Sequence, residues 1–169
     1  MEGFYAVSAA VALGRHHKSP RTVDVQVGQA VEPYDAEWRA PTEDEKRGCA
    51  NEADTTCFGA YALALAAVFA HLGLKAVGRA AGGTGRKGEG TGADWLLLPA
   101  DVEVPEWYME HPDIRRLEVS GQDEVTPGER NSRMKIKLNQ TQQGTLRHIP
   151  ATAAVVEFSL PIVTLAQAS

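Results

Sequence analysis

The chain is poor in the residues that carry several common chemistries. Its 169 residues include two cysteines, Cys49 and Cys57. Their spacing fits neither a zinc knuckle nor a CxxC redox pair, and two are too few for a disulfide framework. Both are read as free thiols. No pair of histidines has zinc-ligand spacing: His16 and His17 adjoin Lys18 in a basic turn, His71 sits in an apolar run, and His111 and His148 stand alone. No Gly-x-Ser-x-Gly occurs, which leaves acyl hydrolysis without support. The apolar N-terminal stretch follows Glu2 rather than basic residues, so it does not read as a secretory signal. The longest uncharged run, residues 55–74, holds His71 and two glycines and reads as a buried core helix rather than a membrane span. A cytoplasmic location follows by default, with no membrane as partner.

A net charge of -5 argues against a protein that grips nucleic acid over a wide face. Basic residues do cluster locally, at Arg15, Lys18 and Arg21 and again at Arg130, Arg133, Lys135 and Lys137. The glycine-rich residues 82–92 carry Arg86 and Lys87. Lys87 is not followed by Ser or Thr and the stretch leads into a strand, so it is no phosphate-binding P-loop. It reads as a hairpin tip whose two cations can touch a polyanion.

Periodicity supplies the elements. Residues 4–13 and 22–27 read as strands, the second alternating Val23, Val25 and Val27 with Asp24 and Gln26. Residues 29–41, with mixed polarity and two prolines, read as a loop. Thr42 with Glu45 forms a capping box that starts a helix, Gly48 interrupts it, and the pattern resumes to a stop at Gly73. Strands follow at 75–80, 93–98 and 114–121, with an irregular connection at 105–112. Residues 124–143 form a helix once past Pro127, and 151–165 one long strand or two short ones. The fold class expected is α+β (α/β-like): a central mixed sheet with core order α-β-β-β-α-β plus an N-terminal pair of strands. Residues 1–41 are the added strands and loop, and 42–169 the core, in one compact domain.

Asp94 and Glu118 each lie inside an apolar strand, where a carboxylate loses hydration and requires a partner, a hydrogen bond or a metal. Two on neighbouring strands suit a divalent cation bound by hard oxygen ligands. Glu52, in the preceding helix, is either a solvated glutamate or a third carboxylate directed over the sheet.

The segments Gly92-Ala93-Asp94-Trp95-Leu96-Leu97 and Arg116-Leu117-Glu118-Val119-Ser120-Gly121, followed by Arg133, Lys137 and Gln140, lie in an order that resembles the PD-(D/E)xK restriction-endonuclease-like superfamily over residues 42–165. The resemblance implies that Asp94, Glu118 and the Val119 carbonyl hold Mg²⁺ or Mn²⁺, with Glu52 as a supporting acid. It further implies Arg86, Lys87, Arg133 and Gln140 as contacts to nucleic acid, DNA foremost. The family places a lysine two residues after the glutamate to position or activate the attacking water; here that position is Ser120. Lys135 or Lys137 of the next helix would replace it. With Leu138 buried, Lys135 is favoured narrowly, although the Arg133–Gln140 spacing favours Lys137. The activity implied is metal-dependent hydrolysis of nucleic-acid phosphodiesters. A non-catalytic member of the fold, acting as a structural or nucleic-acid-binding subunit beside a protein partner or a second copy, is the alternative. An acidic inhibitor or immunity-type protein is a further one.

Overall fold

Two threonines set the helices that follow them. In this computed structural model, which describes residues 2–80 and 92–168, Thr42 accepts from the Glu45 amide while Glu45 accepts from the Thr42 backbone, and Thr126 and Glu129 do the same. Each box satisfies N–H groups that a first helical turn cannot pair internally. Helices α2 (Glu43–Gly48) and α4 (Pro127–Thr141) start there. Asn51 caps α3 (Glu52–Leu72), and Gly73 closes it at φ 62°, a left-handed conformation that suits glycine. By length and composition α3 could cross a membrane; here its Ala60, Ala64 and Val68 join the main core cluster against the sheet.

The sheet contains β1 (Arg21–Val27), β2 (Ala30–Ala36), β3 (Leu74–Arg79), β4 (Trp95–Pro99), β5 (Arg115–Gln122), β6 (Ala151–Glu157) and β7 (Ile162–Gln167). Their order is β2-β1-β7-β6-β5-β4-β3. Strands β3, β4 and β5 form an antiparallel meander, and α4 carries the chain over so that β6 runs parallel to β5. Strand β7 returns antiparallel to β6, and β1 joins it in parallel. The protein is thus α+β with a mixed sheet, and the order from residue 42 is the expected one with β7 added.

Two expectations about the N-terminal region are corrected. Residues 4–13 are not a strand; they belong to α1 (Glu2–Gly14). Alanine is the best helix former, and the run lacks strict alternation. Its small residues permit a close helix crossing: a Cβ on Gly59 would lie 3.0 Å from the Ala9 backbone. Residues 29–41 are not simply a loop, because they contain edge strand β2. Pro33 is tolerated there. It pairs with Asp24, whose own amide donates to Pro161 on the opposite side, so this β1–β2 pair needs no proline N–H. The N-terminal segment is tied in by its helix end as well, where Arg15 donates to Thr56 at 3.0 Å and to Asp123 at 3.2 Å.

The sheet is covered on both sides. Leu97, Leu117, Val119, Ala154 and Val156 face α3 and α1, whereas Ala153 and Val155 pack on Met134 of α4. Strand β6 is buried at every residue, as expected for a central strand. Gly121 marks a close approach of α3 to β5. A Cβ there would lie 2.4 Å from the Thr56 carbonyl oxygen and 2.9 Å from the Ala60 Cβ. Gly121→Ala is therefore expected to lose about 1–3 kcal/mol by forcing α3 outward, measured as a lower urea midpoint.

Candidate functional site

Asp94 stands where the β4–β5 ladder ends. Its backbone is held on both sides, the carbonyl accepting from Ala80 at 3.0 Å and the amide donating to Leu117 at 2.8 Å. Regular β4–β5 pairing stops at Trp95 and Leu117. The Asp94 side chain then takes the place of the next ladder acceptor: Oδ2 accepts from the Val119 amide at 2.8 Å. Its carboxylate therefore lies in the plane of the sheet. From the α3 side, the Tyr61 hydroxyl donates to Oδ1 at 3.0 Å. In an extended strand a residue's N–H and C=O face the same way. The Val119 carbonyl thus faces the side of β5 that Asp94 occupies.

Glu118 approaches from the α4 side. Its residue is 8% exposed, and Lys137 Nζ donates to its Oε1 at 2.7 Å. Burial pushes the Glu118 carboxyl up, and the Asp94 charge pushes it further, against the pull of Lys137 and Arg116. Asp94 and Glu118 thus feel each other's charge although they reach the strand end from different directions.

Helix α4 decides which lysine reaches Glu118. Met134 and Thr141 are buried, Leu138 is half-buried, and Lys137 lies on that stripe at i, i+3, i+4, i+7 spacing. Lys135 is exposed. The narrow preference for Lys135 is corrected: Met134, rather than Ile136, anchors the buried face and turns Lys137 inward.

Glu52 does not join the pair. It is exposed in the first turn of α3, and Tyr61, which reaches Asp94, lies about 13 Å further along the axis at ~1.5 Å per residue. Among the described residues no three of His, Cys, Asp and Glu assemble around one point. Glu52 instead lines a cleft of about 400 Å³ at the C-terminal end of β5, together with Gly121, Gln122 and Arg133. Gln140 is exposed on α4. Arg86 and Lys87 lie outside the described residues.

Two further participants, Tyr61 and Arg79, gave little signal in the sequence. Tyr61 is one tyrosine in an apolar helix, and Arg79 one arginine closing a strand. Burial, then the Asp94 charge, pushes the Tyr61 phenol up, so it stays a neutral donor to Asp94. The Arg79 guanidinium lies 4.7 Å from the Tyr61 ring centroid and 4.8 Å from that of Trp95, and it donates to the Tyr5 hydroxyl at 3.2 Å.

The raised Glu118 carboxyl has a consequence for stability. Between its ordinary value and its raised one, the folded chain keeps a proton that the unfolded chain has released. Stability contributed by this group is therefore present at acid pH and falls as pH rises through that window. Glu118→Gln is expected to flatten the descent in a series of thermal melts from acid to neutral pH. An unchanged pH profile would remove the proposed coupling.

No family model, curated protein or solved structure matches this chain.

Proposed function

We propose that this protein is a metal-dependent nuclease hydrolysing phosphodiester bonds, with DNA as its first substrate. The observation that carries the reading is that Asp94 Oδ2 accepts from the amide of Val119, the residue next to Glu118, while Lys137 Nζ lies 2.7 Å from Glu118 Oε1. Two carboxylates and the Val119 carbonyl form a hard-oxygen donor set suited to Mg²⁺ or Mn²⁺. Burial and then the Asp94 charge raise the Glu118 carboxyl, and a bound cation would offset both. Bound there, the ion would lower the pKa of a water and offset charge building on the phosphate.

The chain's own groups have separate tasks. The Tyr61 hydroxyl and the Val119 amide fix the Asp94 carboxylate in one orientation. Lys137, tethered to Glu118, positions the attacking water, the role that the PD-(D/E)xK resemblance gives to the position of Ser120. The strand and helix order from residue 42 supports placing the chain in that superfamily.

The test is nicking of plasmid DNA with Mg²⁺ or Mn²⁺, beside calorimetric titration of the ion. Wild type is expected to bind the ion and nick, and Asp94→Ala to do neither. A second reading, a non-catalytic nucleic-acid-binding subunit, is favoured by Ser120 and by the ion pair that already occupies Glu118. Ion binding without cleavage of any DNA or RNA would move the conclusion there. A wild type that binds no divalent ion would end the metal reading.

A further inference from the structure

Beside Asp94 runs a series of aromatic rings larger than the site itself needs. Tyr61, which holds Asp94, lies 5.8 Å from Trp95 and 5.7 Å from Tyr5, centroid to centroid. Tyr5 lies 6.1 Å from Phe4, and Phe4 lies 5.3 Å from Phe58. The series begins in the core and ends in solvent, since Phe4 is 47% exposed. Arg79 is exposed at its edge. Its guanidinium is fixed by two ring faces and makes no ion pair among the described residues.

We propose that this wall is a subsite for an unpaired nucleotide, Phe4 and Phe58 stacking a base while Arg79 takes the adjoining phosphate. The substrate is then single-stranded or frayed nucleic acid rather than intact duplex; this rests on the nuclease reading above. Charge decides between the two strand forms. Affinity for duplex comes largely from many phosphate contacts made by basic residues, and a chain with net charge -5 is poorly supplied with them. Stacking needs no net charge, tolerates any sequence, and contributes about ten-fold or more per base. A paired base has both faces covered by its neighbours, so only an unpaired one can meet Phe4. Arg79 supplies the planar cation that stacks on rings and forks onto phosphate oxygens. Its position next to Asp94 sets the stacked nucleotide beside the bond to be cut.

The experiment measures fluorescence anisotropy of short labelled oligonucleotides with the full chain in EDTA, where no bond is cut, and plasmid nicking with Mg²⁺ in parallel. Single strand is expected to bind about ten-fold or more tightly than duplex of the same sequence. Phe4→Ala, at a half-exposed position and with its fold checked by the thermal melt, is expected to weaken single-strand binding about five-fold or more without altering duplex binding. Abasic residues placed singly along the strand should reproduce that loss at one position. Duplex bound as tightly as single strand, or Phe4→Ala and abasic strands bound like the originals, would overturn the subsite, and so would nicking by a chain that binds no oligonucleotide. In each of these cases nicking in Mg²⁺ leaves the nuclease reading intact. Neither binding nor nicking would overturn both.

Discussion

On the proposed mechanism, Lys137→Met is expected to lower metal-dependent strand cleavage about 10²-fold, the scale of misplacing the attacking group. The loss should fall on kcat, because the ammonium is tied to Glu118 and in the proposed mechanism serves the water rather than the substrate's bulk. A second effect accompanies it. Lys137 pulls the Glu118 carboxyl down, so its removal lets burial and Asp94 push that carboxyl higher. Ion binding in the variant should then require higher pH, and calorimetric titrations at several pH values would measure the shift. The double variant Lys137→Met with Ser120→Lys is expected to recover part of the rate. Ser120 alternates with Val119 along β5 and so shares the Glu118 side of the strand, where a lysine would follow the spacing of the PD-(D/E)xK pattern. Lys135→Ala, at an exposed position, should leave the rate within about two-fold. Cleavage by Lys137→Met at the wild-type rate would remove the lysine from the mechanism.

Arg116→Met is expected to cost about 3–5 kcal/mol of stability, the largest single loss foreseen for the fold. Arg116 is 2% exposed. Its Nε donates to the Ile149 carbonyl and its Nη2 to the Thr141 carbonyl, both at 2.8 Å. One guanidinium thus pins the end of α4 to the segment entering β6, and methionine would leave both carbonyls buried without that donor. The loss should appear as a lower urea midpoint with an unchanged slope. Arg116→Lys should recover little, because an ammonium cannot fork to two carbonyls held in fixed directions. Gly92 packs here as well: a Cβ on it would lie 2.4 Å from the Gln143 carbonyl oxygen and 3.4 Å from Arg116 Nη1. Loosening this corner should therefore lower cleavage too, through Asp94 two residues on. Wild-type stability in Arg116→Met would show that the corner is held by other means.

The parts of this fold legible in the sequence are those decided locally. Thr42 with Glu45, and Gly73, mark helix ends because capping chemistry is local. The alternation of Val23, Val25 and Val27 marks β1 because one face is buried. Residues 4–13 misled because alanine and valine runs are compatible with either element. What decides there is Gly59 on another helix, far along the chain. Strand β2 was hidden by Pro33, whose tolerance depends on which way the Asp24 amide points. At the site, the strand position of Glu118 could be read; Asp94, expected inside a strand, lies just before β4, which begins at Trp95. The choice between Lys135 and Lys137 could not be read. It depends on which of Met134 and Ile136 meets Ala153 and Val155, and that contact is made across the sheet. Glu52 failed for a related reason. Helix periodicity gives a residue's direction, whereas its height above the sheet follows from where α3 crosses.

The parallel pairing of β1 with β7 joins the first of the described strands to the last of them. During synthesis β1 can close its hairpin with β2 at once, yet its other edge waits until residues 162–165 have left the ribosome. Over that interval the nascent chain carries an open strand edge next to Val23 and Val25, which are buried in the finished protein. Closing the sheet is then a late, long-range event with a large loop entropy to overcome. A slow final phase in refolding, detected by Trp38 and Trp95 fluorescence and lost on weakening β7, is the kinetic signature this topology should leave.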